Sequence, residues 1–215
     1  MASRPETEWR GLYVLTPDES DTARLLRMTE AILAGGCRWL QYRNKTASPC
    51  HREEQAGALR RLTRARGARL IINDDIDLAL TVAADGVHLG EADGDLAAAR
   101  ARLGPDRILG ASCYRGLERA RRAVAAGADY VAFGSFHPSP TKPDAARADP
   151  DLLRQARDLG VPLCAIGGIT LANAPALLAA GADLLAVISA VYDAPDPGAA
   201  SRAFLQLFET TATPS

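Results

Sequence analysis

Short apolar runs recur along this chain, and the segments between them keep a helical rhythm. The runs occupy residues 11–15, 38–42, 70–73, 86–89, 108–112, 130–134, 162–166 and 184–188. Each is mostly aliphatic and stops at a polar or glycine-rich patch. Continuous runs of that length suit strands buried on both faces. Between them, Leu117, Ala120, Val124 and Ala125 form one apolar stripe, and Leu153, Ala156 and Leu159 form another. Arg119, Arg121 and Arg122 fall mostly off the first stripe. That is the spacing of one-sided helices. The tetrapeptide Ala-Gly-Ala-Asp precedes two of the runs, at 126–129 and 180–183, with looser copies at 34–36 and 83–85. A glycine there closes a helix in the left-handed conformation before the chain turns into the sheet.

Alternating strand and helix implies a parallel sheet with right-handed crossovers. Eight units in about 200 residues predict an α/β fold of one kind: a single (β/α)8 TIM barrel with eight parallel strands. The competing architecture, a doubly wound open sheet, usually has fewer strands and an early GxGxxG. The 215 residues suit one domain spanning 1–215, with a core from about 11 to 208 and short flexible ends. The stretch 138–150 reads as a long βα loop, and the residues after Glu209 as a frayed tail.

Composition narrows the class. Hydrophobic residues at 47% and charged residues at 24% give an ordinary globular balance that can bury a sizeable core. A net charge of -1 gives no basis for a nucleic-acid or anionic-membrane partner, so phosphate binding has to come from local basic residues. The polar N-terminus has no signal-peptide core, and no run approaches the roughly 18 apolar residues of a membrane span. Cys37, Cys50, Cys113 and Cys164 lack CxxC spacing and read as reduced thiols of a cytoplasmic protein.

In a barrel, active-site groups belong at the C-terminal ends of the strands. The polar residues of this chain gather there. Gln41, Arg43 and Lys45 alternate at the end of the second run and would share one side of an extended chain, a suitable clamp for a polyanion. A solvated surface loop explains the same alternation. Asn73 and Asp74 end the third run and Asp93 follows the fourth; two carboxylates there could share a Mg²⁺ ion. Helix capping competes as an explanation and is the better one for Asp75 and Asp77. Ser112 ends the fifth run, where its hydroxyl could bond a phosphate or a local turn. Ser139-Pro140-Thr141-Lys142 follows the sixth, with two hydroxyls, an ammonium and stiffening prolines. Gly167-Gly168 and Ile188-Ser189 follow the seventh and eighth, where many barrels bind phosphate. His88 lies within a strand and suits a hydrogen-bonded structural role; His137 suits a solvent-facing loop. No Ser/His/Asp or Cys/His constellation stands out.

The order and spacing of these stretches resemble thiamine-phosphate synthases from Gly11 to about Phe208. The stretches that carry the resemblance are Gly11-Leu12-Tyr13, Gln41-Tyr42-Arg43-Asn44-Lys45, Ile71-Ile72-Asn73-Asp74, Gly86-Val87-His88-Leu89-Gly90, Pro138-Ser139-Pro140-Thr141-Lys142, Ala165-Ile166-Gly167-Gly168-Ile169 and Ile188-Ser189-Ala190-Val191. The family joins a hydroxymethylpyrimidine diphosphate to a thiazole phosphate, releasing pyrophosphate. By position, the resemblance implies that Gln41, Tyr42, Arg43, Asn44, Lys45, Asn73, Ser112 and Lys142 contact the pyrimidine diphosphate. It implies Mg²⁺ on Asp74 and Asp93, and thiazole phosphate on Ser139, Pro140, Thr141, Gly168, Ile188 and Ser189. Arg43, Lys45, Ser112 and Lys142 would carry the catalytic load. Glu91 stands where the family usually has glutamine, Ser139 replaces a threonine, and Ser135-Phe136-His137 replaces a more apolar segment. The partners implied are small phosphorylated molecules, with the oligomeric state left open to a homo-oligomer. A thiazole tautomerase on the same barrel, a silent thiazole- or thiamine-phosphate binder, and an indole-pathway-like barrel are the competing readings. The first has no use for a diphosphate site, and the last needs a paired acid and base that the chain does not display.

Overall fold

The computed structural model describes residues 9–138 and 146–210. Eight parallel strands close in sequence order into a barrel. They are β1 (Gly11–Leu15), β2 (Trp39–Tyr42), β3 (Arg69–Asn73), β4 (Gly86–Leu89), β5 (Ile108–Tyr114), β6 (Tyr130–Gly134), β7 (Leu163–Ile166) and β8 (Leu184–Val187). Helices intervene: α1 (Thr22–Ala34), α2 (Pro49–Ala65), α3 (Ile76–Thr81), α4 (Leu96–Leu103), α5 (Leu117–Ala125), α6 (Asp151–Ala156), α7 (Ala174–Ala180), α8 (Ser189–Tyr192) and α9 (Pro197–Thr210). The seam closes where Gly11 pairs with Leu184 and Val14 with Val187. Each strand predicted from the apolar runs is present, with ends within two residues of the expected ones.

The strands are apolar throughout because both faces are covered. Leu12, Val14, Leu40, Tyr42, Leu70 and Ile72 face outward into the core shared with the helices. Tyr13, Leu15, Trp39, Ile71, Tyr130, Cys164 and Ala186 face inward and fill the barrel. The pleat alternates these two sets residue by residue. At the lower end Trp9 packs on Trp39 with ring centroids 4.9 Å apart, and Trp39 lies edge-on to Tyr13 and Tyr130.

Helix starts follow ordinary capping chemistry. Asp21, Ser48, Asp75 and Asp95 each accept a hydrogen bond from a backbone N–H in the first turn of α1, α2, α3 and α4. Asp75 is therefore a cap, as its sequence context suggests. Asp77 lies in the first turn of α3 and pairs with Arg102. No helix among the described residues is long and apolar enough to cross a membrane.

Candidate active site at the C-terminal rim

A cavity of about 770 Å³ opens at the C-terminal ends of the strands. That volume suits a ligand of drug size or a pair of small substrates. Gln41, Arg43 and Lys45 line it from β2 and the loop after it, Asn73 from β3, Ser112 from β5, Gly168 from the β7 loop, Ile188 from just past β8 and Ser189 from the start of α8. The alternation read from sequence holds: Gln41, Arg43 and Lys45 all line the cavity. Tyr42 and Asn44 have the opposite phase, and the structure turns both away. The Tyr42 hydroxyl donates to Gln55 Oε1 at 2.9 Å beneath α2. Asn44 is buried and donates to the Glu19 carbonyl at 2.9 Å while accepting from the Thr46 and Ala47 amides. Neither side chain lines the cavity; both hold the loop that presents Arg43 and Lys45. Ser139, Pro140, Thr141 and Lys142 lie outside the described residues.

The basic side chains at the rim are braced by carboxylates. Arg43 Nη1 contacts both oxygens of Asp18, at 3.2 and 3.3 Å, and Asp18 also accepts from the Lys45 amide at 2.7 Å. Thr16 ties the same turn down, accepting from the Arg43 amide and donating to its carbonyl, both at 2.8 Å. Lys45 Nζ lies 3.4 Å from Asp74 Oδ2. Such pairs fix direction at the cost of part of the free positive charge.

Asp74 and Asp93 sit in a smaller depression beside the cavity, walled by Arg52, Asp75, Asp77 and Arg102. Asp74 holds a left-handed backbone, with φ at 64°, uncommon for a residue with a side chain. Burial pushes its carboxyl above the usual range, and hydrogen bonding and repulsion from Asp93 push it further, against the pull of Lys45. Two carboxylates this close favour a shared proton or a shared cation. Asp93 is oriented by the Gly90 amide, which donates to Oδ2 at 2.6 Å. The capping role that competed for Asp93 belongs instead to Asp95. Among the described residues no cluster of three or more His, Cys, Asp or Glu could hold a metal. Two protein carboxylates with the rest supplied by substrate oxygens and water is the pattern that suits Mg²⁺.

Glu91, the unusual residue beside this pair, is 2.8 Å from Arg119 Nη1. Arg119 also donates through Nε to the Ser112 carbonyl at 2.8 Å and lies over the Tyr114 ring. Glu91 thus helps hold the β5 end.

On the opposite side, Gly167 and Gly168 have φ of 103° and 60°. A Cβ on Gly168 would lie 2.2 Å from the Pro138 carbonyl oxygen, so only glycine lets this turn pass the β6 loop. Asn173 clamps the turn, donating to the Gly168 carbonyl at 3.0 Å and accepting from the Thr170 amide at 2.8 Å.

Sequence reasoning gave no role to Tyr13, Tyr130, Asp18 or Arg115, and only a structural one to His88. Tyr13, His88 and Arg115 line the cavity. His88 is buried, bonded through Nε2 to Ser112 Oγ at 2.9 Å, and burial holds its pKa down to about 4. Strand phase is the signal that could have found the first two: Tyr13 and Tyr130 both have the inward parity.

The chain matches the family model described as thiamine monophosphate synthase over residues 12–191. The chain belongs to the thiamine-phosphate synthase family. Among its relatives, the thiamine-phosphate synthase of Methylobacillus flagellatus is 59% identical, covering 93% of this chain and 95% of that protein. The synthase of Aromatoleum aromaticum is 54% identical, covering 95% and 99%. A solved thiamine phosphate pyrophosphorylase from Pyrococcus furiosus superposes with a TM-score of 0.86 at 35% identity, covering 96% of this chain and 99% of that one. Membership makes this chain a transferase of thiamine biosynthesis. A 3-hexulose-6-phosphate synthase, at 20% identity and a TM-score of 0.69, shares the fold alone.

Proposed function

We propose that the rim cavity joins a hydroxymethylpyrimidine diphosphate to a thiazole phosphate, giving thiamine phosphate and pyrophosphate. The observation that carries this reading is convergence. Gln41, Arg43, Lys45, Asn73 and Ser112 face Gly168, Ile188 and Ser189 across one cavity, with the Asp74–Asp93 pair beside the basic side. A diphosphate needs the first set and a monophosphate the second.

In this scheme the bond from the pyrimidine methylene to the diphosphate oxygen breaks, and the electron pair leaves with pyrophosphate. The methylene cation is stabilised by the aminopyrimidine ring. The thiazole nitrogen then donates its lone pair to form the new C–N bond, so no proton has to be abstracted there. Charge on the departing group falls to Arg43 and Lys45, aimed by Asp18 and Asp74, and to the Ser112 hydroxyl. Lys142 belongs with them by resemblance, as Ser139, Pro140 and Thr141 belong with the thiazole phosphate. The donor set at Asp74 and Asp93 suits Mg²⁺, which when bound supplies Lewis-acid stabilisation of phosphate oxygens. His88, buried and neutral, fits a scheme that needs no histidine base. The reading places the enzyme in the cytoplasm, with small phosphorylated molecules as its partners; the four cysteines are unpaired.

The test mixes purified protein with both substrates, with and without Mg²⁺, and follows pyrophosphate and thiamine phosphate. Equal, Mg²⁺-dependent formation of both is the expected result. Thiazole isomerisation without metal, or thiamine-phosphate binding without turnover, would replace this reading with a tautomerase or a silent binder.

A further inference from the structure

Five polar side chains that would be costly to bury singly are strung together across the interior of the barrel. Gln41 Nε2 donates to the Tyr13 hydroxyl at 2.8 Å. The Tyr13 and Tyr130 hydroxyls meet at 2.9 Å. Tyr130 meets His88 Nδ1 at 2.8 Å, and His88 Nε2 meets Ser112 Oγ at 2.9 Å. The links come from β2, β1, β6, β4 and β5 in that order, so only the closed barrel assembles them. Gly110 makes the room: a Cβ there would lie 2.2 Å from the Tyr130 ring.

Each hydroxyl in such a chain has a single proton, so the direction at one end fixes every link. Gln41 can only donate from Nε2. Tyr13 accepts there and spends its own proton on Tyr130. Tyr130 in turn spends its proton on Nδ1 of a neutral imidazole. A neutral imidazole that accepts at Nδ1 carries its proton on Nε2 and donates to Ser112. Ser112 then keeps its hydroxyl proton for a group outside the chain. The far end demands the same direction independently. A serine that spent its proton on His88 would present lone pairs to an anionic substrate, which repels; one that accepts from His88 presents a donor.

We propose that Tyr13, Tyr130 and His88 are positioning residues that carry hydrogen-bond polarity from Gln41 to Ser112, holding His88 as the Nε2–H tautomer and committing the Ser112 hydroxyl as a donor into the cavity. This deepens, and rests on, the reading of Ser112 as a contact to the diphosphate substrate. It explains why two tyrosines and a histidine are buried inside a barrel whose chemistry calls for no acid or base.

The experiment is nitrogen NMR on histidine-labelled, substrate-free protein at pH 8, where three histidines give few signals to assign. Wild type should show His88 as the Nε2–H tautomer. Gln41→Glu replaces the donor with a carboxylate that accepts from Tyr13, and should reverse the chain and move the His88 proton to Nδ1. Adding Tyr130→Phe should cut the connection, so that Gln41→Glu no longer moves that proton. An Nδ1–H tautomer in wild type, or a His88 tautomer indifferent to Gln41→Glu, would overturn the proposal. Should Gln41→Glu not fold, Tyr130→Phe alone decides: the single tautomer gives way to a mixture, and its persistence counts against the chain. In turnover, Gln41→Glu should lower kcat/KM for the pyrimidine diphosphate by roughly tenfold to a hundredfold, with KM for the thiazole phosphate unmoved. The tautomer is read without substrate. A protein with the expected tautomer and no synthase activity would sink only the functional reading, and an active synthase with the wrong tautomer only this one.

Discussion

Asp74 concentrates the tension of this site in one residue. Its backbone is left-handed, and its carboxyl is pushed up by burial and by Asp93. A carboxyl raised in the folded state binds its proton to higher pH there than in the unfolded chain. Stability therefore falls as pH rises from the usual aspartate value through the raised one. Asp74→Asn removes that charge and tolerates the left-handed backbone better. The metal-free variant should melt at a higher temperature than wild type at pH 7, while Mg²⁺, which should raise the melting temperature of wild type, should leave the variant unmoved. Synthase turnover should drop sharply in parallel. Unchanged Mg²⁺ stabilisation in the variant, measured by calorimetry, would remove Asp74 from the metal site.

Among the elements, the repeated Ala-Gly-Ala-Asp acquires a reason in three dimensions. Gly127 and Gly181 have positive φ, as helix closers should. The aspartates that follow them bind backbone: Asp129 Oδ2 accepts from the Leu109 amide at 2.7 Å and Asp183 Oδ2 from the Leu163 amide at 2.8 Å. Asp85 does the same for Leu70 at 2.7 Å, in the looser copy. Each carboxylate thus ties the start of one strand to the neighbour that precedes it. In that looser copy Ala83 occupies the glycine position with φ at 51°, and it is not buried. A left-handed alanine costs about 1–2 kcal/mol, partly offset by the smaller entropy of its unfolded chain. Ala83→Gly should then stabilise the protein by roughly 0.5–1 kcal/mol in urea unfolding, with activity untouched. A loss of stability would mean that the strain is not real.

The whole molecule depends on an element outside the stretch matched to the family. Helix α9 lies past residue 191, yet it packs on α1 and β1 beside the β8–β1 seam. Phe204 is fully buried, with Phe208 and Ser201 beside it on the same face. Phe204→Ala should cost about 3–5 kcal/mol, because the surrounding helices cannot collapse into the space. Denaturant unfolding should show the loss as a single cooperative transition, since a closed barrel has no free edge at which to open partially. A change under about 1 kcal/mol would show that α9 is peripheral to barrel stability.

The number, order and type of the elements were legible in the amino-acid order, because strands buried on both faces must be apolar throughout and the connecting helices apolar on one stripe. So was the gathering of Gln41, Arg43, Lys45, Asn73, Ser112 and Gly168 on one rim, because strand ends and pleat parity are local properties. Parity also turns the Tyr42 and Asn44 side chains away from the cavity. The contacts between strands far apart in the chain were not legible, and folding alone sets them. Tyr130 reaches His88 and Tyr13 because barrel closure and the missing side chain at Gly110 bring them together. Arg43 finds Asp18, Lys45 finds Asp74 and Glu91 finds Arg119 for the same reason. A hydrogen bond needs its partners within about 3 Å, and separation along the chain says nothing about that distance until the sheet has closed.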